Sequence, residues 1–407
     1  MWQEKAARGC GIRSLAVFIL ALGLIWSGPG WAESAVTGVR IGKHQDMTRF
    51  VLDLTEPVNH GIFMLADPYR VVIDLPEVAW RVPPEKNAKG VGLISGYRYG
   101  LFRPGTWRIV LDAAAPVRMK RVFLLEPRAG YGYRFVLDLE NVTREVFLRE
   151  LKAARPKVAA NPMPRLGPLP EPARPAGKRV LVLDPGHGGV DPGARGRTGI
   201  LEKTVTLAMA GEVKRQLEAT NRYHVVLTRS RDMFLRLRER VAAARQFDAD
   251  LFISLHADTI ANPKIRGLSV YTLSEKASDK EAELLAAQAN KADIIAGIDL
   301  TDENVEVANI LIDLAQRETM NLSANFAGFL IEELRREVKV LHKSHRFAGF
   351  AVLKAPDVPA ALVELGYLSN REEEKRLRSP AYRARLASAI VRAIDRYFSW
   401  KEALTRS

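Results

Sequence analysis

Seven prolines crowd one short stretch of the chain: Pro156, Pro162, Pro164, Pro168, Pro170, Pro172 and Pro175. Each lacks a backbone N–H and fixes its own φ, so neither a long helix nor a central strand can run through them. The 407-residue chain is therefore divided, and 151–178 reads as an extended, semi-rigid linker between a first domain over 33–150 and a second over 179–400. The linker is also basic, with Lys152, Arg155, Lys157, Arg165, Arg174 and Lys178 against Glu171 alone. That composition fits two roles: a segment lying along an anionic envelope surface, or a solvated spacer extended by its own charge.

The first 32 residues read as an export signal. Arg8 and Arg13 precede an apolar run from Leu15 to Trp26, Gly28 and Pro29 end it, and Gly30-Trp31-Ala32 suits cleavage after Ala32. The run is shorter than the ~20 residues a membrane span needs, which leaves a retained anchor as the weaker alternative. Cleavage removes Cys10, the only cysteine, so disulfides and thiolate metal sites are excluded. A cysteine-free mature chain suits an oxidising compartment. The net charge is +14, yet no interleaving of basic and aromatic residues suggests base stacking, and nucleic acid is not an expected partner.

One pattern recurs four times in the first domain. Arg49-Phe50-Val51-Leu52-Asp53-Leu54 is repeated identically from Arg134 to Leu139, and Arg70–Leu75 and Arg108–Ala113 are close variants. β-Branched and apolar residues bounded by turn signals predict short strands of an all-β sandwich. Arg and Asp four residues apart share one face of a strand, which predicts cross-strand ion pairs on the solvent side. The region over about 36–150 resembles the AMIN domain of bacterial envelope proteins, a small β-sandwich associated with targeting to the cell wall. His44 and His60 are isolated, and no catalytic constellation is visible here.

The second domain carries the chemistry. Arg179–Asp184 is a buried-type strand running into Pro185-Gly186-His187-Gly188-Gly189. Glu202 opens a helix whose apolar stripe is Val205, Met209, Val213 and Leu217. Asp250–Asp258 is a second strand, ending near His256, and Pro359–Tyr367 a third, with Glu364 at its end. Ligand sites of α/β sheets gather at such strand ends. Two histidines and one or two carboxylates at such ends can converge on one point, and two imidazoles plus one carboxylate with a position left open for water make a catalytic zinc arrangement. Taken singly, a His after Gly is a turn residue and a Glu at a helix start a capping partner; four such signals in one domain point to a site.

These segments resemble the zinc-dependent N-acetylmuramoyl-L-alanine amidases of the cell-separation type. The resemblance covers about 179–400 and includes the loop after Asp184, the Glu202-Lys203 pair, the strand end Ser254-Leu255-His256-Ala257-Asp258 and the stretch Val363 to Asn370. It implies an α/β catalytic domain, a mixed sheet flanked by helices. It also implies that His187, Glu202 and His256 ligate Zn2+ and that Glu364 is the catalytic acid/base. Activity on peptidoglycan, a periplasmic location and a role at the division septum follow from the same resemblance. The zinc site alone suits a peptidase on free peptides equally well, and a wall-binding protein with an inactive amidase domain is the third reading. His224, His342 and His345 match no ligand position, and Arg346 lies in a family-like stretch without an assigned role.

Residues 275–321 form an acidic insertion, with Glu275, Asp279, Glu281, Glu283, Asp293, Asp299, Asp302, Glu303, Glu306, Asp313 and Glu318 opposed by Lys276, Lys280, Lys291 and Arg317. Helical patterns fall near 278–295 and 304–320, the second with Val307, Ile310, Leu311 and Leu314 on one stripe. In amidases of this type such an insertion covers the zinc cleft until an activator, typically a LytM-type protein, displaces it. A Glu preceding an Asn often reaches the metal in that family; here the pair is Ala289-Asn290, and neither Glu283 nor Glu306 is assigned in its place. An acidic hairpin serving stability alone is the plainer alternative.

Overall fold

In a computed structural model the protein is described over residues 34–83, 90–154, 176–298 and 310–406. The signal segment, most of the proline-rich linker and Val307 lie outside the described residues.

Among the described residues the first domain has nine strands: β1 (Ala35–Lys43), β2 (Met47–Leu54), β3 (Gly61–Leu65), β4 (Arg70–Pro76), β5 (Ala79–Trp80), β6 (Ile94–Arg103), β7 (Thr106–Ala113), β8 (Val117–Leu125) and β9 (Tyr133–Asn141). They form two sheets, β5-β1-β2-β9-β8 and β3-β4-β7-β6. Phe50, Leu52, Val71, Ile73, Ile109, Leu111, Phe135 and Leu137 share the buried core between them, as alternation along each strand requires. The repeats explain the arrangement. The two identical copies are antiparallel neighbours β2 and β9, and the two variants are neighbours β4 and β7. Arg49 donates to both oxygens of Asp138 at 2.7 and 2.8 Å, and Arg108 to both of Asp74 at 2.7 Å.

Two expectations need correction. The ion pairs do not all face solvent: Arg108, paired with Asp74, is only 6% exposed, because the carbonyls of Ala296 and Gly297 in the second domain lie against it. The linker also begins later than its composition suggests. Helix α1 (Arg144–Ala154) runs through 151–154, since the first proline comes only at Pro156.

The second domain is a six-stranded mixed sheet of β10 (Arg179–Pro185), β11 (Tyr223–Leu227), β12 (Leu251–His256), β13 (Leu268–Leu273), β14 (Val340–Ala348) and β15 (Ala360–Glu364). The order is β11-β10-β12-β15-β13-β14, with β13 antiparallel to β15 and the other pairings parallel. Helices α2 (Glu202–Ala219), α6 (Ile310–Glu337) and α8 (Pro380–Arg406) pack on one face through Val205, Met209, Val213, Leu217, Phe326 and Ile390. Helices α3 (Leu237–Gln246) and α4 (Lys280–Ala289) lie against the other, where Ala282, Leu285 and Ala286 meet Phe252, Phe350 and Leu353. Helix α5 (Ala292–Ile295) follows α4, and α7 (Arg371–Arg378) precedes α8. The helix expected near 278–295 is thus broken at Asn290-Lys291. Past residue 321 there is no boundary: α6 continues, with Ser323 Oγ bonding back to the Thr319 carbonyl at 2.7 Å. Glu333, buried on α6, receives Arg392 at 2.9 Å and Arg396 at 2.8 Å from α8.

Candidate metal centre

Three adjacent parallel strands, β10, β12 and β15, end side by side, and their carboxyl ends deliver His187, His256 and Glu364. His256 and Glu364 are register partners. The chain must turn sharply after β10, and His187 takes the left-handed conformation at φ 62°. Gly186 makes the close approach possible: a Cβ there would lie 2.4 Å from the His256 ring. Gly193 is equally constrained, at φ 64° and with its Cβ position 2.7 Å from a Glu202 oxygen.

Glu202 opens α2 fully buried. Its Oε2 accepts from the Ala194 N–H and its Oε1 from the Ala257 N–H, each at 2.8 Å. The same oxygens face His187 Nε2 at 3.2 Å and His256 Nδ1 at 3.1 Å. One ligand atom from each of the three residues lies within 4.8 Å of the others, and they form the one such cluster of His, Cys, Asp or Glu among the described residues. His224, His342 and His345 are outside it.

The donor set fits a divalent cation of borderline softness: two ring nitrogens, one carboxylate and no sulfur. Asp191 adds what a ligating histidine needs. Its Oδ2 takes the His187 Nδ1–H at 2.8 Å, which fixes the tautomer and leaves Nε2 free to ligate. Burial works against charge in this cluster, yet Asp191 and Glu202 hold the imidazolium form of His187 well above its ordinary range. Against the same penalty, His187 and hydrogen bonds from both imidazoles hold Glu202 well below the usual carboxylate range. A cation held by these three residues would take the place of the proton shared in this way.

Glu364 is buried, with Oε2 accepting from the Asp258 N–H at 3.1 Å. Burial first, then the Asp258 and Glu202 carboxylates, push it well above the ordinary carboxyl range. Burial and Glu202 likewise raise Asp258 to about 7.

Several residues of the centre carry no sequence signal strong enough to select them. Arg229, buried, donates to the carbonyls of Pro185, Gly186 and Lys203 at 2.9–3.0 Å. Arg240 reaches Asp184 at 2.8 Å and the Pro185 and His187 carbonyls at 2.9 Å. Together they pin the loop that presents His187. Asp191 and Asp258, four and two residues beyond the clustered histidines His187 and His256, were findable by proximity alone.

The described residues of the insertion up to Ala292 lie over this centre. Ala289, Asn290 and Ala292 join Gly186, His187, Leu237, Arg240 and His256 around a cavity of about 20 Å³, room for about one water. Gln288 donates to Asp258 at 3.1 Å, Asn290 donates to the Gly349 carbonyl at 2.9 Å, and the Ala351 N–H donates to Asn290 at 2.8 Å. Arg346 has a place too: it donates to Glu281 of α4 at 2.6 Å and to the Tyr271 hydroxyl at 3.2 Å. Among the described residues no carboxylate of the insertion joins the metal cluster. Glu283 is exposed, and Glu306 lies outside the described residues.

Residues 181–396 match the family model for N-acetylmuramoyl-L-alanine amidase, and 38–125 that for the AMIN domain. The chain is 36% identical over 377 residues to the N-acetylmuramoyl-L-alanine amidase AmiC of Neisseria meningitidis, covering 89% of this chain and 90% of that one. It is 33% identical over 387 residues to AmiC of Escherichia coli O6:H1, covering 92% of each. Among solved structures, AmiC2 of Nostoc punctiforme matches 55% of this chain and 98% of its own at 30% identity and a TM-score of 0.40.

Proposed function

Since the chain belongs to the N-acetylmuramoyl-L-alanine amidase family and carries an AMIN domain ahead of the catalytic one, we propose that it is an exported, zinc-dependent, self-covered hydrolase of septal peptidoglycan. The amidase activity and the peptidoglycan substrate come with the family. The convergence of His187, Glu202 and His256 beside Glu364 is the observation that carries the zinc mechanism.

A zinc ion held by those three residues supplies a water activated near neutral pH and an electrophile for the scissile carbonyl. The chain does the rest. Asp191 holds His187 in the ligating tautomer, and the Ala194 and Ala257 amides orient Glu202. Glu364 takes the proton of the water attacking the amide between the lactyl group of N-acetylmuramic acid and L-alanine. It then returns that proton to the departing amine, a poor leaving group until protonated.

A cavity of about 20 Å³ admits no muropeptide, which supports a resting state covered by α4 and α5. The expected opener is a LytM-type activator. The domain division proposed is a signal over 1–32, a targeting domain over 33–150, a linker and a catalytic domain over 179–400. The charge of the basic linker suits a solvated spacer, or contact with an anionic envelope surface.

Digestion of purified peptidoglycan tests this reading. Metal removal is expected to abolish release of intact stem peptides from the glycan, and zinc to restore it. Activity that persists in a metal-free preparation, or trimmed peptides still attached to glycan, would overturn it.

A further inference from the structure

We propose that the AMIN domain is an intramolecular latch: the outer face of its β3-β4-β7-β6 sheet holds α5 over the metal centre. The proposal rests on the reading of the insertion as a cover.

Helix α5 has only four residues and cannot persist alone. Its final carbonyls are taken by three arginines of the other domain. Arg98 Nε donates to the Ile295 carbonyl at 2.6 Å. Arg108 Nη1 donates to those of Ala296 and Gly297 at 3.2 and 3.0 Å, and Arg70 to that of Ile294. Cations at carbonyl ends of a helix are favourable, the more so when buried. Apolar contact reinforces the grip: Leu65, Val72, Phe102 and Val110 of the sheet share one buried cluster with Ala296, Val190 and Phe234. Gly297, at φ 70°, sits so close that a Cβ would lie 3.0 Å from Val72.

The same face touches the metal-binding loop. Gly100 of β6 lies against Gly189-Val190, where any Cβ would stand 2.2 Å from the Gly189 carbonyl carbon. Next to it, the Phe234 N–H donates to the Leu101 carbonyl at 2.9 Å. One surface thus contacts both the loop two residues past His187 and the segment that closes the cavity through Ala292. These contacts anchor α5 from the AMIN side, while Asp293 receives the Leu237 N–H at 3.1 Å from the catalytic side. Loosening the sheet face removes the support from the AMIN side, so docking of the AMIN domain and access to the centre are coupled.

The test uses the full mature chain with zinc bound. Arg98→Glu puts a carboxylate against the α5 carbonyls, and Arg98→Gln removes the charge more gently. In a second arm Gln288→Ala with Asn290→Ala loosens the cover without touching the AMIN face. Peptidoglycan release without activator is measured beside zinc content, melting behaviour and amide hydrogen exchange over 292–298. Both Arg98 variants are expected to raise basal activity by about 5-fold or more, the low end of ordinary coupling between sites, and to speed exchange over 292–298. A folded, zinc-loaded Arg98 variant no more active than the parent overturns the latch. If the second arm is then active, the cover stands without it; if neither arm is, the cover fails as well.

Discussion

Replacing Asp191 by Asn separates positioning of a ligand from ligation itself. Asp191 is buried and accepts two donors, His187 Nδ1–H at 2.8 Å on one oxygen and the Gly193 N–H at 3.1 Å on the other. An amide of the same shape has one accepting oxygen. Its NH2 must therefore face one of those donors, leaving that donor unsatisfied at about 1–3 kcal/mol. If the oxygen stays with Gly193, His187 loses its anchor and turns toward the wrong tautomer. If it stays with His187, the loop at Gly193 opens beside Glu202. Either outcome loosens one ligand, and loss of such a supporting partner weakens metal binding by about 10–100-fold. Competition against a chelator of known affinity reads this directly, with Asp191→Glu, which keeps both accepting oxygens, as the control. Activity at saturating zinc should recover most of its value, because no group touching substrate has changed. A folded Asp191→Asn variant whose zinc affinity stays within about 3-fold of the parent would refute the reasoning, since the loss expected on removing a supporting partner would be missing.

Glu364→Gln keeps shape and the bond from the Asp258 N–H but cannot carry a proton; zinc content is expected to stay near normal while turnover falls about 10²-fold or more. Loss of zinc in that variant would instead make Glu364 a ligand. In the first domain, the hydrogen bond from Arg49 lowers the Asp138 pKa despite burial. Its stabilisation is therefore complete above the unfolded carboxyl value of about 3.9 and fades as pH falls through the depressed one. Arg49→Leu should destabilise the chain at pH 7 by about 1–3 kcal/mol, from the unpaired carboxylate, and the deficit should shrink in acid melts below about pH 3.9. A deficit independent of pH would assign the effect to packing.

The strand ends could be read from sequence because buried parallel strands are near-continuous apolar runs, and Val180–Leu183, Leu251–Leu255 and Ala360–Val363 are of that kind. Their chemistry-bearing residues come just where those runs stop. The helix opened by Glu202 was legible for a related reason, an apolar stripe at helical spacing. What remained hidden depends on partners remote in the chain. Arg229 and Arg240 look like any arginines, and only their burial on the carbonyls of the His187 loop gives them a role. The four-fold Arg…Asp repeat makes the same point more sharply. Arg49 in one copy faces Asp138 at a partly open surface, while Arg108 in a near-identical copy is sealed against Ala296 and Gly297. Local sequence cannot distinguish the two, because the difference lies in what covers each sheet. The first domain, read from its strands alone, is a separable module. Its buried arginines bond to carbonyls beyond it in the catalytic domain, and if the proposed latch holds, removing it is expected to alter the activity of the enzyme as well as its location.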